Sequence, residues 1–354
     1  MGKRNNMDLY LKQIEEIAKI DLPWEKLSGR TLLLSGATGM IGKCLVDILM
    51  KHNDGQKDSI KAVRVIALSR NEQRAKERFG EYWDRDDFQY VACDVNKEIP
   101  EAGNVDFVVH AASNTHPIQY ANDSIGTIAS NIIGTKNLLD YATTHGTKRF
   151  CFVSSVEVYG ENRGDVEKFD ESYLGYIDCN TLRAGYPESK RLGETFCNAY
   201  FQTYGLDFVI PRLSRVYGPT MLQSDSKAIS QFIKKAANGE DIVLKSEGNQ
   251  KYSYSFVTDA AAGILYTLLL GECGHAYNIA DKKSDITLKK LAHCLAQIAG
   301  TKVIFELPDE SERRGYSTAT KAMLCADKLE QLGWRANVHM EAGLAETVAS
   351  LKNV

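Results

Sequence analysis

Apolar runs of strand length recur along the first two thirds of the chain, with polar, helix-patterned stretches between them. TLLLSG (31–36), VRVIALS (63–69), FQYVACD (88–94), VDFVVHAA (105–112), FCFVSS (150–155) and DFVIPRLS (207–214) are mostly continuous in Val, Ile, Leu, Phe and Ala. Continuous rather than alternating runs predict strands buried on both faces. Helical patterns follow from Gly39 to about Lys51, over EQRAKERF, over about 121–145, and from Tyr186 to about Tyr204. This alternation predicts an α/β fold with a doubly wound parallel sheet, helices covering both faces.

The ends of the chain read differently. Within residues 1–29, DLYLKQIEEIAKI places Leu11, Ile14, Ile17 and Ala18 at helical spacing. This predicts an N-terminal helical extension, packed on the body of the protein or on a neighbouring subunit. The body spans 30–216. After Tyr217 the pattern loosens, and 217–253 is polar with Gly-Pro and Glu-Gly turns. FVTDAAAGILYTLLL (256–270) returns to a buried strand-and-helix pattern, so 254–280 is expected to rejoin the body. Segments 217–253 and 281–354 are left to form a smaller C-terminal lobe, with a helix at LKKLAHCLAQIAG and another after Gly333-Trp334.

Composition narrows the function classes. The 354 residues are 44% hydrophobic and carry a net charge of −3, with acids and bases intermixed, so no basic footprint for nucleic acid or an anionic membrane is present. The eight cysteines include no Cys-x-x-Cys pair, which predicts reduced thiols and no metal site. The N-terminal MGKRNNMDLYLKQ turns polar too early for a signal peptide. No window approaches the roughly 20 apolar residues of a membrane span. A soluble cytoplasmic protein is the expectation.

Candidate chemistry begins at Gly36-x-x-Gly39-x-x-Gly42, directly between the first strand and its helix. One glycine permits the tight turn, one lets backbone approach a pyrophosphate, and one allows close helix packing. The helix N-terminus then offers free N–H groups to phosphate. Thr38, Met40 and Ile41 lie in the same loop. The body is therefore read as a dinucleotide-binding domain. The second strand ends Leu68-Ser69-Arg70-Asn71, without the acid that binds ribose hydroxyls in NAD sites. Ser69 and Arg70 point toward a 2′-phosphate, and the choice between NAD and NADP stays open. Asp94 and Val95 after the third strand are placed to meet adenine. Ala111, Ala112 and Ser113 after the fourth let the cofactor pass close to backbone. Tyr186 and Lys190, four apart at a helix start, share a face. A neighbouring ammonium and a cationic nicotinamide would favour the phenolate and make Tyr186 a base for a sugar hydroxyl. Ser155, ending the fifth strand, can orient that oxygen.

Together SGATGMIG (35–42), HAAS (110–113), the helix bearing Asn131, VSSVEVYG (153–160), YPESK (186–190), PRLSRVYGP (211–219), FVTDAAAGI (256–264) and LGW (332–334) resemble an extended short-chain dehydrogenase/reductase of the NAD-dependent epimerase/dehydratase family. The resemblance implies a Rossmann-type sheet and a substrate-binding C-terminal lobe. It implies NAD as cofactor, with NADP the alternative, and Pro211 among the cofactor residues. Ser155, Tyr186 and Lys190 become the catalytic triad. The substrate becomes a nucleoside-diphosphate sugar, touched by Asn114, Thr115, Ser155, Arg215 and Tyr252. Dimers in this family often form through the two long helices, here about 121–145 and 186–204.

Two departures from the family pattern bear on the reaction. Family 4,6-dehydratases carry Asp-Glu after the catalytic Ser/Thr, whereas this chain has Val156-Glu157. Val156 cannot donate a proton, which disfavours a dehydratase. Glu157 is compatible with UDP-glucuronate decarboxylases, either in the chemistry or as a structural hydrogen-bonding residue. The family arginine before the aromatic strand, which contacts the substrate diphosphate or, in decarboxylases, assists the chemistry, is replaced by Tyr252, and this counts against a decarboxylase; Arg215 can supply positive charge to the diphosphate instead. The expected reaction oxidises the sugar to a transient 4-ketone and re-reduces it, as in an epimerase or a decarboxylase. An NADPH-dependent 4-keto-sugar reductase and a non-catalytic dinucleotide-binding protein are the alternatives.

Overall fold

A computed structural model of the chain describes residues 7–56, 61–113, 123–306 and 320–352. In chain order its strands are β1 (Thr31–Ser35), β2 (Arg64–Ser69), β3 (Phe88–Ala92), β4 (Phe107–His110), β5 (Arg149–Phe152), β6 (Ser154–Ser155) and β7 (Phe208–Leu213). There follow β8 (Arg215–Tyr217), β9 (Ile242–Leu244), β10 (Lys251–Phe256), β11 (His275–Ile279), β12 (Asp285–Thr287), β13 (Val303–Phe305) and β14 (Lys321–Ala322). The α-helices are α1 (Asp8–Ile17), α2 (Met40–Asp54), α3 (Glu72–Phe79), α4 (Ser124–Thr144), α5 (Gly185–Tyr204), α6 (Ala228–Ala237), α7 (Val257–Leu270), α8 (Leu288–Ala299), α9 (Asp327–Gln331) and α10 (Met340–Leu351).

The large sheet runs β11-β7-β5-β4-β1-β2-β3, with β6 also paired to β7, and every neighbouring pair is parallel. Its residues explain the continuous apolar runs. Leu32, Leu34, Val65, Ala67, Val109 and Cys151 pack into one core with α2 and α7. Their neighbours Leu33, Ile66, Val108 and Phe150 pack into a second core with α4 and α5. Both faces are dry, so both strand faces must be apolar. The strand order reverses between β1 and β4, and ligands of such sheets bind beyond the strand ends at that point.

Outside this sheet the sequence pattern is less direct. Segment 217–253 is not loose: it holds α6, whose Ile229, Phe232, Ile233 and Ala236 are buried at helical spacing. The Lys and Gln between them dilute the run. Residues 257–270 are wholly helical, and the strand belongs to the preceding KYSYSF, which is β10. β10 pairs in parallel with β8, placing Tyr254 opposite Arg215, in parallel with β14 and antiparallel with β12. β9 and β13 form a separate pair. Helix α1 docks on the chain's own body. Backbone N–H groups of Leu9 and Tyr10 donate to the Glu346 carboxylate at 2.6 and 2.7 Å, and the Tyr10 hydroxyl donates to Asp47 at 2.5 Å.

Candidate active site

The glycine loop leaves β1 with Gly36 at a φ of 73°, a conformation that glycine adopts without strain. A Cβ there would stand 2.7 Å from the Ala111 carbonyl and the Ala112 nitrogen, and one on Gly42 would stand 2.4 Å from the Gly36 oxygen. The loop therefore lies flat against the end of β4 and against α2. Gly39 precedes α2, whose N-terminus has no side-chain cap. Its first N–H groups and its dipole suit an anion such as a pyrophosphate. Gly36, Gly39, Met40, Ile41 and Gly42 line one end of a cavity of about 880 Å³, so the donor set and the close backbone approach fit a dinucleotide.

The same cavity runs past Ala111 and Ser113 to Ser155, Glu157, Tyr186 and Lys190, and on to Arg215 and Tyr252. Register brings these together. Ser155 on β6 pairs with Leu213 on β7, and α5 packs across both strands with Tyr186 and Lys190 in its first turns. Lys190 donates to the Val153 carbonyl at 2.9 Å and lies over the Phe152 ring. Complete burial lowers its pKa to about 8, against the opposing pull of Glu194 and Cys197. Burial raises the Tyr186 phenol pKa, hydrogen bonding to Ser155 and Ser113 lowers it, and the Glu157 charge raises it again.

Behind Tyr186 runs a buried polar chain that sequence reasoning passed over. Ser35 and Thr135 hydroxyls flank the His110 ring nitrogens at 2.7 and 3.0 Å. Thr135 donates to the Asn131 carbonyl, so Nε2 of His110 carries the proton and Nδ1 accepts from Ser35. The Asn131 amide accepts from Ser113 at 2.7 Å and donates to Ser189 at 2.8 Å, and Ser189 donates to the Tyr186 carbonyl. The sequence cues were His110 in HAAS, at a strand end, and Asn131 in the helix that follows, with nothing to join them.

Other expected positions stand off the cavity wall. Thr38 is buried within the loop, and the Ala112 N–H is tied to Ser35. Pro211 is inside β7, and Leu213 and Ser214 take the wall instead. Ser69 accepts at its carbonyl from the Tyr90 hydroxyl at 2.9 Å, and Arg70 is exposed beside it. Asp94 caps the turn to Asn96, and Val95 packs beneath Gly134 of α4. Asn114 and Thr115 lie outside the described residues. Lys227, Lys235 and Lys245 join the wall without any motif to announce them. Arg215 holds Glu157 at 3.6 Å and stacks on Tyr252, its guanidinium carbon 3.6 Å from the ring centre.

The profile of the NAD dependent epimerase/dehydratase family matches residues 32–280, from β1 through β11. The chain belongs to that family. Among curated relatives, UDP-glucuronic acid decarboxylase 5 of Arabidopsis thaliana is 30% identical over 321 residues, covering 90% of this chain and 88% of that protein. Among solved structures, a dTDP-glucose 4,6-dehydratase from Streptomyces venezuelae with NAD and TYD bound superposes with a TM-score of 0.77 at 26% identity, covering 91% of this chain and 97% of that one. A UDP-glucuronic acid 4-epimerase from Bacillus cereus, in complex with UDP-glucuronic acid and NAD, gives 0.76 at 20% identity, with 91% and 99% covered; at that identity the likeness concerns the fold.

Proposed function

We propose that this chain is an NAD-dependent nucleotide-sugar enzyme that works through a 4-ketone, and that its reaction is the decarboxylation of UDP-glucuronic acid. The carrying observation is one continuous cavity that joins the glycine loop to Ser155, Tyr186 and Lys190 and then to the Glu157–Arg215 pair. The decarboxylase relative, aligned over most of both chains, supports the substrate. Buried Val156 stands where a dehydratase needs an acid.

The glycine loop and the α2 N-terminus would hold the pyrophosphate, and Ala111 and Ser113 would border the nicotinamide half. When bound, NAD supplies a hydride acceptor for C4 and later returns that hydride. The chain's own groups handle the proton. Ser155 fixes the C4 oxygen, and Tyr186 takes its proton as the C–H bond breaks. Lys190, held at the Val153 carbonyl, sets the charge beneath the sugar. Oxidation at C4 makes the C6 carboxylate that of a β-keto acid. The C5–C6 bond then breaks with loss of CO2, and its electron pair delocalises onto the C4 oxygen near Ser155 and Tyr186. A proton returns to C5 before the ketone is reduced.

The substrate-binding lobe is assigned to 217–253 and 281–354, with Asn114, Thr115, Arg215 and Tyr252 as sugar contacts. We assign the protein to the cytoplasm, which the free cysteines support; among the described residues no helix is long and apolar enough to cross a membrane. We also assign a homodimer through α4 and α5, supported by exposed Ile125, Ile133, Leu192 and Phe201 on those helices.

The test is to incubate the protein with UDP-glucuronic acid and follow products by mass spectrometry and NMR. Release of CO2 with a UDP-pentose is expected, without added reductant. Unchanged mass with inverted C4 would mean epimerisation. Exposed Arg70 after β2 favours one rival, an NADPH-dependent 4-keto-sugar reductase. A stoichiometric requirement for NADPH would establish that rival.

A further inference from the structure

The wall beyond Ser155 carries a cation held in an unusual way. Glu157 and Arg215 each stand two residues beyond the Ser155–Leu213 register pair, which brings their side chains to the same stretch of the cavity. Arg215 lies opposite Tyr254, so Tyr252, two residues earlier on β10, shares its face of the strand pair. The guanidinium carbon lies over the Tyr252 ring, 3.6 Å from its centre, and Nη2 faces Glu157 Oε1 at 3.6 Å. That separation is an ion pair and exceeds a good hydrogen bond. Nη1 is buried, and among the described residues it has no hydrogen-bond partner. A buried charged donor left without an acceptor is costly, and such groups in folded proteins call for a ligand, water or ion.

We propose that Arg215 binds the C6 carboxylate of the sugar, with Tyr252 and Glu157 as positioning residues that hold its guanidinium on the cavity wall. The assignment rests on the decarboxylase reading above. Its chemistry separates the candidate anions. C6 is attached to C5, which is bonded to the carbon that Tyr186 and Ser155 address, so the carboxylate is the substrate charge nearest the reacting centre. Arg215 belongs to that neighbourhood, because its partner Glu157 acts electrostatically on the Tyr186 phenol. Lys227, Lys235 and Lys245 are carried by other elements, at α6 and just past β9, and suit the diphosphate. The planar guanidinium fork matches two carboxylate oxygens better than any lysine would.

The test is calorimetric titration of the NAD-loaded protein with UDP-glucuronic acid, UDP-glucose and UDP. Wild type is expected to bind UDP-glucuronic acid at least about tenfold more tightly than UDP-glucose, the scale of one charge-assisted contact. In Arg215→Gln that preference should fall to within about twofold, with UDP affinity retained. Arg215→Lys should keep part of the preference, and serves if the Gln variant fails to fold. Tyr252→Leu should erode the preference, and Tyr252→Phe should restore it, because the stack needs the ring and not the hydroxyl. Equal wild-type affinity for the two sugars would overturn the proposal. So would an Arg215→Gln variant that loses UDP as severely as UDP-glucuronic acid, since Arg215 would then bind diphosphate. A wild type that prefers UDP-glucuronic acid yet releases no CO2 would instead sink the decarboxylase reading and leave the carboxylate site standing.

Discussion

Tyr186 illustrates how a residue's neighbours redefine its chemistry. Burial raises its pKa, and the nearby Glu157 raises it further. Hydrogen bonding to Ser155 and Ser113 opposes that rise, and on the proposed mechanism Tyr186 takes the proton of the C4 hydroxyl as hydride leaves the same carbon. Tyr186→Phe should lower kcat by about 10²–10⁴-fold, the usual worth of a positioned acid–base group. NAD affinity, read by fluorescence titration, should stay within a few-fold of wild type, because the loop that holds the pyrophosphate is untouched. Full activity in this variant would remove Tyr186 from the chemistry. His110 makes a second residue-scale case. Burial pushes its pKa down to about 3, with the Lys190 charge adding to the effect. Its folded pKa lies below the unfolded value of about 6.5. Between those limits the unfolded chain binds a proton that the native state does not. Native stability is thus complete above about pH 6.5 and is lost as pH falls toward 3, by an amount on the order of a few kcal/mol. Thermal melts from pH 7 to pH 4 should show this loss, and His110→Gln should flatten that slope while lowering stability at pH 7.

At the scale of elements, α5 is where fold and chemistry meet. It carries Tyr186 and Lys190 at one end and Gly193 on the turn below. A Cβ on Gly193 would lie 2.3 Å from Cζ of Phe152, at the end of β5. The helix can therefore approach the sheet closely only with glycine there. Gly193→Ala should push α5 outward and destabilise the protein by about 1–3 kcal/mol, the range for overpacked cores. Because the proposed catalytic pair rides on the same helix, kcat should fall with little change in NAD affinity. Stopped turnover assays beside a denaturant titration would separate the two losses, and unchanged stability would refute the packing argument. The sequence announced neither this glycine nor its partner ring, since their contact joins residues 41 positions apart. Elements whose physics is local were legible. The continuous runs of β1, β4 and β5 follow from burial on two faces, the β1–α2 turn from its glycines, and α3 from the helix-forming residues of EQRAKERF. Several elements whose burial is one-sided or shared were not. α6 hid behind its lysines, β11 has only five residues beginning with an exposed His275, and β10 alternates polar and aromatic residues. The site followed the same division. Ser155, Tyr186 and Lys190 sit in ordered motifs, whereas the His110–Thr135–Asn131 chain and the Arg215–Tyr252 stack are tertiary pairings with no spacing to betray them.

For the whole molecule, the question is what covers the outer face of α4 and α5. These two helices pack tightly together against the second core, yet Ile125, Ile133, Leu192 and Phe201 remain exposed at 81%, 45%, 37% and 38%. Scattered apolar residues are ordinary on a surface, but four on one adjacent helix pair are what a second copy would bury. A two-fold axis between such pairs would make a four-helix bundle in which each patch meets its own copy. The consequence reaches the site, because α5 bears Tyr186 and Lys190. Dimerisation would brace the helix from outside while Gly193 seats it from within. Wild type should therefore sediment as a dimer at micromolar concentration, and its Tm should rise with concentration, as linkage to association requires. Ile133→Glu places a charge in the centre of the proposed interface and should yield a folded monomer with unchanged far-ultraviolet circular dichroism. That monomer should lose the concentration dependence of Tm, and its kcat should fall because α5 is less firmly held. A wild type that sediments as a monomer at every concentration would sink the dimer, and a fully active Ile133→Glu monomer would show that α5 needs no support from outside its own chain.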